Sequence, residues 1–411
     1  MKSQLLVTSV GLLALLAMPA GLAAQGQNAQ LPRYTVTDLG PVDNPFSRAT
    51  WLNNHGLVTG FDTAPDGTSH AVLWPKGLTT PKDIGIPGLG GPNSAGFSVN
   101  ERGQAVGQAE TSVANDEDFC GFNFYGFLSL TACLPFLWQN GVMTPLPTLG
   151  GANGFANSVN NRGEVAGLAE TTITEAGCPV FQFEPVIWKH GVIQELLTYP
   201  GDTDGVAAAI NDNGQVSGAS GTCASSLNGN SGLYLVENHA MLWESDGTPH
   251  DLGNLGGTGG IAGNHACALN NRGQVVGHSE LANDTTFHGF LWTRHTGMQD
   301  LGTLPGNFDY ASLALGINDG GDVVGASLDA TFSSTAVLWE KRANQPANLN
   351  LLVVDNPSGL FLLLAQSINS SGEIVGLAVT SSGEPHGFLA TPMNGEAGSE
   401  GATPAAQGLT Q

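Results

Sequence analysis

Short runs of alternating apolar and polar residues, each ending in the same turn motif, recur seven times along this chain. Runs such as GFSV before Asn100 and LALGI before Asn318 have the period-two alternation of β-strands. Each run is followed by Asn-x-x-Gly-x-φ-x-Gly, where φ is mostly aliphatic and lies within a second apolar run. The copies begin 47 to 60 residues apart, at Asn53, Asn100, Asn160, Asn211, Asn270, Asn318 and Asn369. This pattern predicts seven β-hairpins.

The turn residues support the hairpin interpretation. An Asn side chain bonds readily to nearby backbone groups, and the first Gly of the motif suits the left-handed position of a three-residue loop. The last Gly, Gly277 in the copy ALNNRGQVVG, marks a β-bulge or the close approach of another backbone.

Two further strands follow each hairpin. The third has the form HAVLW (70–74) or HGFLW (288–292), and the fourth has the form DIG or DLG, as at Asp83, Asp251 and Asp300. Four short strands in about 50 residues form one propeller blade. Six of the seven Trp residues end third strands, which predicts that they pack between blades.

The two ends of the array predict a closed ring. The seventh copy has no fourth strand after HGFLATP, whereas YTVTDLG (34–40) is a fourth strand with no hairpin before it. Joining these segments completes seven blades, so we predict an all-β, seven-bladed β-propeller over residues 34–392 that the N-terminal strand closes. Residues 393–411 then form a flexible, low-complexity tail. Which strand of each blade is innermost stays open at this point.

The repeats resemble a known family. The order H-A/G-φ-L-W, then D-L-G-x-L-G-G, then A-x-φ-N-x-x-G-x-V-V-G is similar to the bacterial "probable extracellular repeat, HAF family" over nearly the whole chain after the leader. Four copies depart from it, with Leu134, Glu184 and Thr335 in place of His and Ala390 in place of Trp. The resemblance implies an exported, β-rich repeat protein, and it implies no catalytic residues.

The N-terminal segment and the net charge restrict where the protein is located and what it can bind. Residues 1–24 have an early Lys2, a short apolar stretch and small residues near Ala24, as in a secretory signal peptide. We therefore expect a secreted, extracellular protein, with a periplasmic location as the alternative, no membrane span and a monomeric state. The formal charge of −23 argues against binding to nucleic acid, because phosphates would be repelled.

The loops between second and third strands vary most. In blades 1, 5, 6 and 7 they hold 9 or 10 residues, whereas in blades 2, 3 and 4 they hold 26, 16 and 20. Corresponding loops of a propeller share one face, so the three insertions predict one raised patch. The insertions carry Cys120, Cys133, Cys178 and Cys223.

Export favours disulfides among these four cysteines. We prefer Cys120–Cys133 and Cys178–Cys223, although the sequence allows three pairings. A zinc site is the alternative, and the lack of close Cys and His spacing speaks against it. Cys267 is expected to be a buried thiol outside the disulfides.

Aromatic residues crowd the blade 2 insertion DEDFCGFNFYGFLSLTAC. They are Phe119, Phe122, Phe124, Tyr125 and Phe127. Exposed, they would stack on sugar rings or anchor a partner protein, and folded back they would form a small satellite core.

Candidate chemistry is sparse. Four His residues that open third strands (His70, His239, His288 and His386) recur with the repeat, which favours hydrogen-bonding roles over catalysis. The sequence has no nucleophile elbow, metalloprotease, P-loop or haem motif, and we predict no metal and no cofactor.

Three functional hypotheses follow. We favour a non-enzymatic binding module that recognises a glycan or protein ligand through the extended loops of blades 2–4. The alternatives are a secreted propeller enzyme, a polysaccharide lyase or hydrolase with acidic residues at the axis, and a structural cell-surface protein.

Overall fold

The computed structural model describes residues 31–40, 46–115, 120, 129–174, 178, 180–223, 235–257, 263–341 and 345–393. Within these residues the strands form seven sheets, arranged as the blades of a ring. The predicted seven-bladed β-propeller is therefore confirmed.

Blades 1 to 4 each contain four antiparallel strands in chain order, after a first strand β1 (Tyr34–Asp38) that belongs to the last blade. Blade 1 contains β2 (Ser47–Leu52), β3 (Val58–Thr63), β4 (Ser69–Trp74) and β5 (Lys82–Asp83). Blade 2 contains β6 (Gly90–Val99), β7 (Ala105–Ala114), β8 (Thr131–Gln139) and β9 (Val142–Pro145). Blade 3 contains β10 (Gly154–Val159), β11 (Val165–Thr174), β12 (Phe181–Lys189) and β13 (Val192–Glu195). Blade 4 contains β14 (Asp204–Ile210), β15 (Val216–Cys223), β16 (Leu235–Trp243) and β17 (Pro249–Asp251).

Blades 5 to 7 continue the ring. Blade 5 contains β18 (His265–Leu269), β19 (Val275–Glu280), β20 (Phe287–Thr293) and β21 (Gly297–Asp300). Blade 6 contains β22 (Ala311–Ile317), β23 (Val323–Leu328), β24 (Ser334–Trp339) and β25 (Ala347–Asn348), and the short helix α1 (Leu349–Leu352) follows it. Blade 7 contains β26 (Val353–Asp355), β27 (Phe361–Ile368), β28 (Ile374–Val379) and β29 (Pro385–Pro392).

The N-terminal strand closes the ring as predicted. β1 pairs antiparallel with β29, from Tyr34 opposite Pro392 to Asp38 opposite Phe388. Blade 7 also has a fifth strand, because β26 pairs parallel with the outer edge of β1. The repeat motif did not predict this strand, which lies in the connection between blades 6 and 7.

The first strand of each blade is the innermost. These strands contact one another in order around the ring, from β2 to β6 and finally from β27 back to β2. Each motif Asn directly follows an inner strand, so all seven Asn residues lie around the axis at the ends of these strands.

The last Gly of each motif meets the inner strand at a β-bulge. A Cβ on Gly277 would lie 1.8 Å from the carbonyl oxygen of His265, and one on Gly167 would lie 1.9 Å from that of Phe155. The pairing register shifts at these points, between Ala266 and Ala268 and between Ala156 and Ser158. Only glycine fits so close an approach, so the predicted β-bulge and the predicted close approach of another backbone are both confirmed.

The hydrophobic core lies between neighbouring blades. Trp188 of blade 3, for example, is buried with Val106 of blade 2 and with Leu146 of the connecting segment. The Trp188 indole Nε1 also donates a hydrogen bond to the Pro147 carbonyl (2.8 Å). Five of the six third-strand Trp residues are buried and Trp292 is partly buried, which confirms their packing role.

Alternating strand direction gives the ring two distinct faces. The hairpins between first and second strands and between third and fourth strands lie on one face, here called the turn face. The hairpins between second and third strands and the connections between blades lie on the other, here called the loop face. In the part of the chain that the structure describes, no helix is long and apolar enough to cross a membrane.

Candidate binding surface

The strands of blades 2 to 4 extend further at the loop face than those of the other blades. β7 and β11 have 10 residues each and β15 has 8, whereas β3, β19, β23 and β28 have 6 each. Because blades 2, 3 and 4 are neighbours, their extended hairpins stand side by side on one half of the loop face.

Two disulfides anchor these hairpins, and both have the pairing that we preferred. Cys120–Cys133 joins the two sides of the blade 2 insertion, with 5.6 Å between the Cα atoms. This disulfide is buried against Phe61 of blade 1 and Ala95 of blade 2. Cys178–Cys223 joins the blade 3 insertion to blade 4, with 5.9 Å between the Cα atoms. The disulfide of the blade 2 insertion therefore packs against the ring, and the blade 3 insertion is tied to blade 4.

Three aliphatic side chains are exposed on the extended hairpins of blades 2 and 3. Val113 is 61% exposed, Leu130 is 59% exposed and Ile173 is 55% exposed. We call these three residues the apolar ridge. Exposure of one large aliphatic residue is ordinary for a protein surface, but a group of them on adjoining hairpins is typical of an interaction site.

Equivalent hydrogen bonds hold the ridge in place. The Thr111 hydroxyl accepts a hydrogen bond from the Val113 amide (3.1 Å), and the Thr171 hydroxyl accepts one from the Ile173 amide (3.0 Å). The Asn115 amide donates to the Leu130 carbonyl (3.0 Å), which joins the two strands of the blade 2 hairpin. Val113 and Ile173 thus occupy the same position, six residues after the motif's last Gly, in adjacent blades.

Short-loop blades have polar residues at that position. Counting from the same Gly, blades 1, 5, 6 and 7 carry Asp66, Asn283, Thr331 and Ser382. These residues lie at the tips of tight hairpins, and the Asp66 carboxylate, for example, accepts a hydrogen bond from the Thr68 amide (3.0 Å). The exposed aliphatic side chains are therefore a feature of blades 2 and 3 and not of the repeat.

The five aromatic residues that we singled out lie outside the described residues. They are Phe119, Phe122, Phe124, Tyr125 and Phe127, and their role stays a prediction. Cys267 forms neither disulfide, but it is half-buried rather than buried, because it lies at the bulge of the inner strand β18. Its Sγ lies 3.7 Å from His278 Nδ1.

The repeated His residues are hydrogen-bonded to carboxylates. His70, His288 and His386 bond through Nδ1 to Asp83 (2.7 Å), Asp300 (2.9 Å) and Asp38 (2.9 Å) of the adjoining outer strand. The bond to Asp83 raises the pKa of His70. In blade 4, His239 instead bonds to Asp202 (2.9 Å) of the preceding connection and stacks on Tyr199. Repetition of the pair in three blades gives it a structural role in joining third and fourth strands.

Blade 3 replaces this pair with two carboxylates. Glu184 occupies the His position, and Glu195, opposite Val186, occupies the position that Asp83 has opposite Val72. Burial, together with the negative charges of Glu195 and Asp204, raises the pKa of Glu184 to about 8. The raised pKa favours the protonated form of Glu184 near neutral pH, and this feature is specific to blade 3.

Three buried glutamates fasten the Leu-Gly-Gly connections. Glu170 Oε2 accepts hydrogen bonds from the Ala152 amide (2.8 Å) and from the Asn153 amide (3.0 Å). A Cβ on Gly151 would lie 2.6 Å from Glu170 Cγ, which explains the second glycine of the motif. Glu110 and Glu280 have equivalent positions. The sequence contains the signal for this arrangement, because Leu-Gly-Gly and this Glu occur together in blades 2, 3 and 5.

A belt of asparagines surrounds the axis on the turn face. Asn53 Nδ2 donates to the carbonyl of Asn100 (2.9 Å), and each motif Asn does the same to the next blade until Asn369 donates to Asn53 (3.2 Å). A cavity of about 130 Å³ opens here, lined by the belt and by the residues beside it, such as Glu101, Asp212 and Asp319. The belt amides bond to neighbouring blades, so they stabilise the ring. The described residues contain no group of three or more His, Cys, Asp or Glu arranged to hold a metal ion.

Comparison with known proteins gives similarity at the level of structure. No family model matches the chain, and no curated protein matches it in sequence. The resemblance to HAF repeats therefore stays a prediction from the motifs.

Solved structures with similarity include the β-propeller domain of the Trilobed protease from Pyrococcus furiosus. Its TM-score is 0.47 at 8% identity, and the match covers 84% of this chain and 94% of that one. An acylaminoacyl peptidase from Pyrococcus horikoshii has a TM-score of 0.40 at 13% identity, covering 71% of this chain and 43% of that one. A mutant Aleuria aurantia lectin in complex with alpha-methyl-L-fucoside has a TM-score of 0.32 at 9% identity, covering 88% and 95%. The strand pairing itself establishes that this chain is a seven-bladed β-propeller.

Proposed function

We propose that this protein is an extracellular binding module that recognises a glycan or protein ligand through the extended loops of blades 2 to 4. One observation carries the proposal. Neighbouring blades present aliphatic side chains at the same position on disulfide-anchored hairpins, whereas the short-loop blades present polar residues there. Holding such a surface rigid before binding lowers the entropic cost of association.

The location outside the cytoplasm is supported by the two disulfides. Disulfides persist in oxidising compartments and are reduced in most cytosols. Both of them lie at the insertions and neither lies within the repeated frame of the ring, so an oxidising environment matters most for the proposed binding surface.

Grafting a short hairpin into blade 2 tests the proposal. Glu110 opposite Cys133 corresponds to Glu280 opposite Phe287, so the blade 5 sequence Leu281–Phe287 can replace Thr111–Cys133 without changing the register. We expect a ligand found by screening the purified protein on glycan and cell-surface protein arrays to bind the graft at least about tenfold more weakly, because the hot-spot residues are lost.

A matched graft on the other half of the loop face is the control. Replacing Asp329–Ser333 of blade 6 with the blade 7 hairpin Thr380–Glu384 exchanges two hairpins of equal length. We expect unchanged binding and an unchanged melting temperature. Equal binding by the blade 2 graft and the parent protein would show that the raised loops are not the site.

A further inference from the structure

The axial cavity of the turn face has an apolar inner wall. Each blade contributes three consecutive residues to the lining of this cavity, namely the motif Asn, the residue before it and the residue after it. The residue before the Asn lies deeper, at the end of the inner strand, and is aliphatic in all seven blades. These residues are Leu52, Val99, Val159, Ile210, Leu269, Ile317 and Ile368. Below the Asn belt the cavity therefore offers contacts to an apolar group.

Trp51 adds an aromatic side chain to this inner wall in blade 1 only. It lies two residues before the motif Asn, where the other blades have the small residues Ser98, Ser158, Ala209, Ala268, Gly316 and Ser367. In blade 6 this position lies against the next inner strand, because a Cβ on Gly316 would be 2.9 Å from the carbonyl oxygen of Gln366. Trp51 is half-buried, packs on the core between blades 1 and 2, and lines the axial cavity. It is the one Trp outside the third strands.

Polar side chains surround the mouth of the cavity. The residues that follow the motif Asn, here called the rim, are Asn54, Glu101, Asn161, Asp212, Asn271, Asp319 and Ser370. Asn161 donates to Asp212 through its amide (2.8 Å) and its Nδ2 (2.9 Å). Asn271 donates to Asp319 in the same way (2.8 and 3.0 Å). Each of the two carboxylates thus uses two of its roughly four acceptor positions, and each is half-exposed.

The cationic side chains of the turn face do not line the cavity. Its lining contains no Lys, Arg or His. Glu101 lies 3.0 Å from Nδ1 of His55, and Arg162 bonds to a glutamate of its own hairpin. Among the described residues, Asp212 and Asp319 take part in none of the ion pairs of this face. A concave site with carboxylates of one sign at its mouth attracts small cations and repels anions.

We propose that the axial cavity binds a small primary ammonium compound with an apolar tail. The tail contacts Trp51 and the aliphatic inner wall, and the ammonium group donates hydrogen bonds to Asp212 and Asp319 at the rim. The cavity volume of about 130 Å³ is close to the roughly 150 Å³ of an apolar cavity that holds benzene, so the ligand is of that size. This site lies on the face opposite the raised loops and is independent of the proposed function.

A series of simple compounds separates the charge from the tail. Isothermal titration calorimetry of the purified protein compares n-butylammonium with n-butanol and butanoate, which have tails of similar length and different charge. We expect butylammonium to bind one molecule per ring and at least about tenfold more tightly than the other two, because only an ammonium group bonds to carboxylates with charge assistance. From methylammonium to butylammonium, each added CH₂ group should strengthen binding about fourfold through burial of apolar surface.

Variants of the rim locate the ammonium group. Asp212→Asn combined with Asp319→Asn removes two charges and introduces a residue that already occurs at the rim, where Asn161 Oδ1 accepts the Glu101 amide (2.9 Å). We expect this variant to bind butylammonium at least about tenfold more weakly. Asp246→Asn is the matched control, because it removes an exposed carboxylate of the same face, between β16 and β17, outside the cavity. It should bind like the parent protein.

A variant of the inner wall locates the tail. Trp51→Ser gives blade 1 the residue type of blades 2, 3 and 7, and we expect butylammonium and methylammonium to bind it with affinities that differ by less than about fivefold. Because Trp51 also packs between blades 1 and 2, the melting temperature of this variant is measured as well. Trp51→Phe keeps an aromatic face at the wall. It should retain most of the dependence on tail length, and it replaces the Ser variant where that variant is unstable.

Several results would overturn the inference. Butanol that binds as tightly as butylammonium would refute selection by charge, and methylammonium that binds as tightly would refute the role of the inner wall. Equal weakening by Asp246→Asn and by the rim variant would place the ligand outside the cavity. Failure of every ammonium compound to bind would refute the site. The blade 2 graft should bind butylammonium like the parent protein, so failure of this site and failure of the proposed function are distinguishable.

Discussion

The raised half of the ring, blades 2 to 4, and the short-loop half, blades 5, 6, 7 and 1, share one frame and differ at one face. In both halves the motif Asn bonds to the next blade, and the last Gly approaches the inner strand within about the same distance. At the loop face, β11 of blade 3 continues for 10 residues where β19 of blade 5 stops at 6. Residues near the axis and on the turn face must fit against the neighbouring blades, whereas a hairpin at the loop face is free to vary in length and sequence.

A second contrast concerns the outer strands. Blade 1 joins its third and fourth strands through His70 and Asp83, and the hydrogen bond and charge of His70 hold the pKa of Asp83 below its usual range despite partial burial. Blade 3 has two carboxylates at the same positions, and the pKa of Glu184 moves in the opposite direction. Blade 3 thus lacks the stabilising His–Asp pair that blades 1, 5 and 7 contain.

The largest expected effect should be equal in the two halves. Gly167→Ala in blade 3 and Gly277→Ala in blade 5 would each place a methyl group against a backbone oxygen at the bulge. We expect each to lower the free energy of unfolding by about 3 kcal/mol or more, measured by urea unfolding. The exposed control Ala330→Gly should change it by under about 0.5 kcal/mol. A large loss of stability in only one of the two Gly variants would contradict the conclusion that both halves share the same frame.

Removing the disulfide between blades 3 and 4 should affect only the raised half. The Cys178–Cys223 bond closes a separation of 45 residues, so its loss should cost about 4 kcal/mol through the entropy of the unfolded chain. We expect Cys178→Ser with Cys223→Ser to lower the melting temperature, whereas Cys267→Ser should change it little. Hydrogen exchange should show that backbone amides of β11 and β15 lose protection. An equal loss of protection in β19 would contradict a local effect of the disulfide.

The carboxylate pair of blade 3 predicts a pH dependence. The pKa of Glu184 is 4.5 in a model peptide and about 8 in the folded protein, so the folded state binds more protons between these values. Stability should therefore fall as the pH rises from about 5 to 8. After allowance for screening at this half-buried site, Glu184→Gln should remove a decline of about 1–2 kcal/mol.

Two controls sharpen this test of the outer strands. Glu184→His would restore a His–carboxylate pair with Glu195, and we expect it to raise the melting temperature near pH 6. Glu384→Gln changes an exposed carboxylate of the same face and should leave the pH profile as it is. Identical pH profiles for the parent protein and Glu184→Gln would contradict the raised pKa.

The smallest expected effect on stability is at the apolar ridge. Val113→Ser with Ile173→Ser should change the free energy of unfolding by under about 0.5 kcal/mol per residue, because both side chains are mostly exposed. Chemical unfolding of this variant checks the value. A loss of several kcal/mol would mean that the ridge belongs to the folding core, and any loss of binding would then have a structural cause.

Local patterns in the sequence determined the fold. Asn-x-x-Gly-x-φ-x-Gly specifies a hairpin through contacts within a few residues. A single blade built on this hairpin cannot bury both of its faces, so the repeated blades must pack on one another. The split fourth strand at Tyr34–Asp38 then predicted closure. The disulfide pairs followed as a preference, because loops of adjacent blades must emerge side by side.

Tertiary structure alone decided where the charges and exposed groups lie. The net charge of −23 gives no sign that nine of the ten Lys and Arg residues in the described part of the chain lie on the turn face or in strand ends next to it, since this depends on which strand ends meet. The same holds for the strand β26, whose pairing joins residues more than 300 positions apart. It also holds for Glu184, whose pKa depends on its burial and on the charges of Glu195 and Asp204 from neighbouring elements. Periodicity reports contacts within a blade, whereas the proposed binding surface arises from the order of blades around the ring.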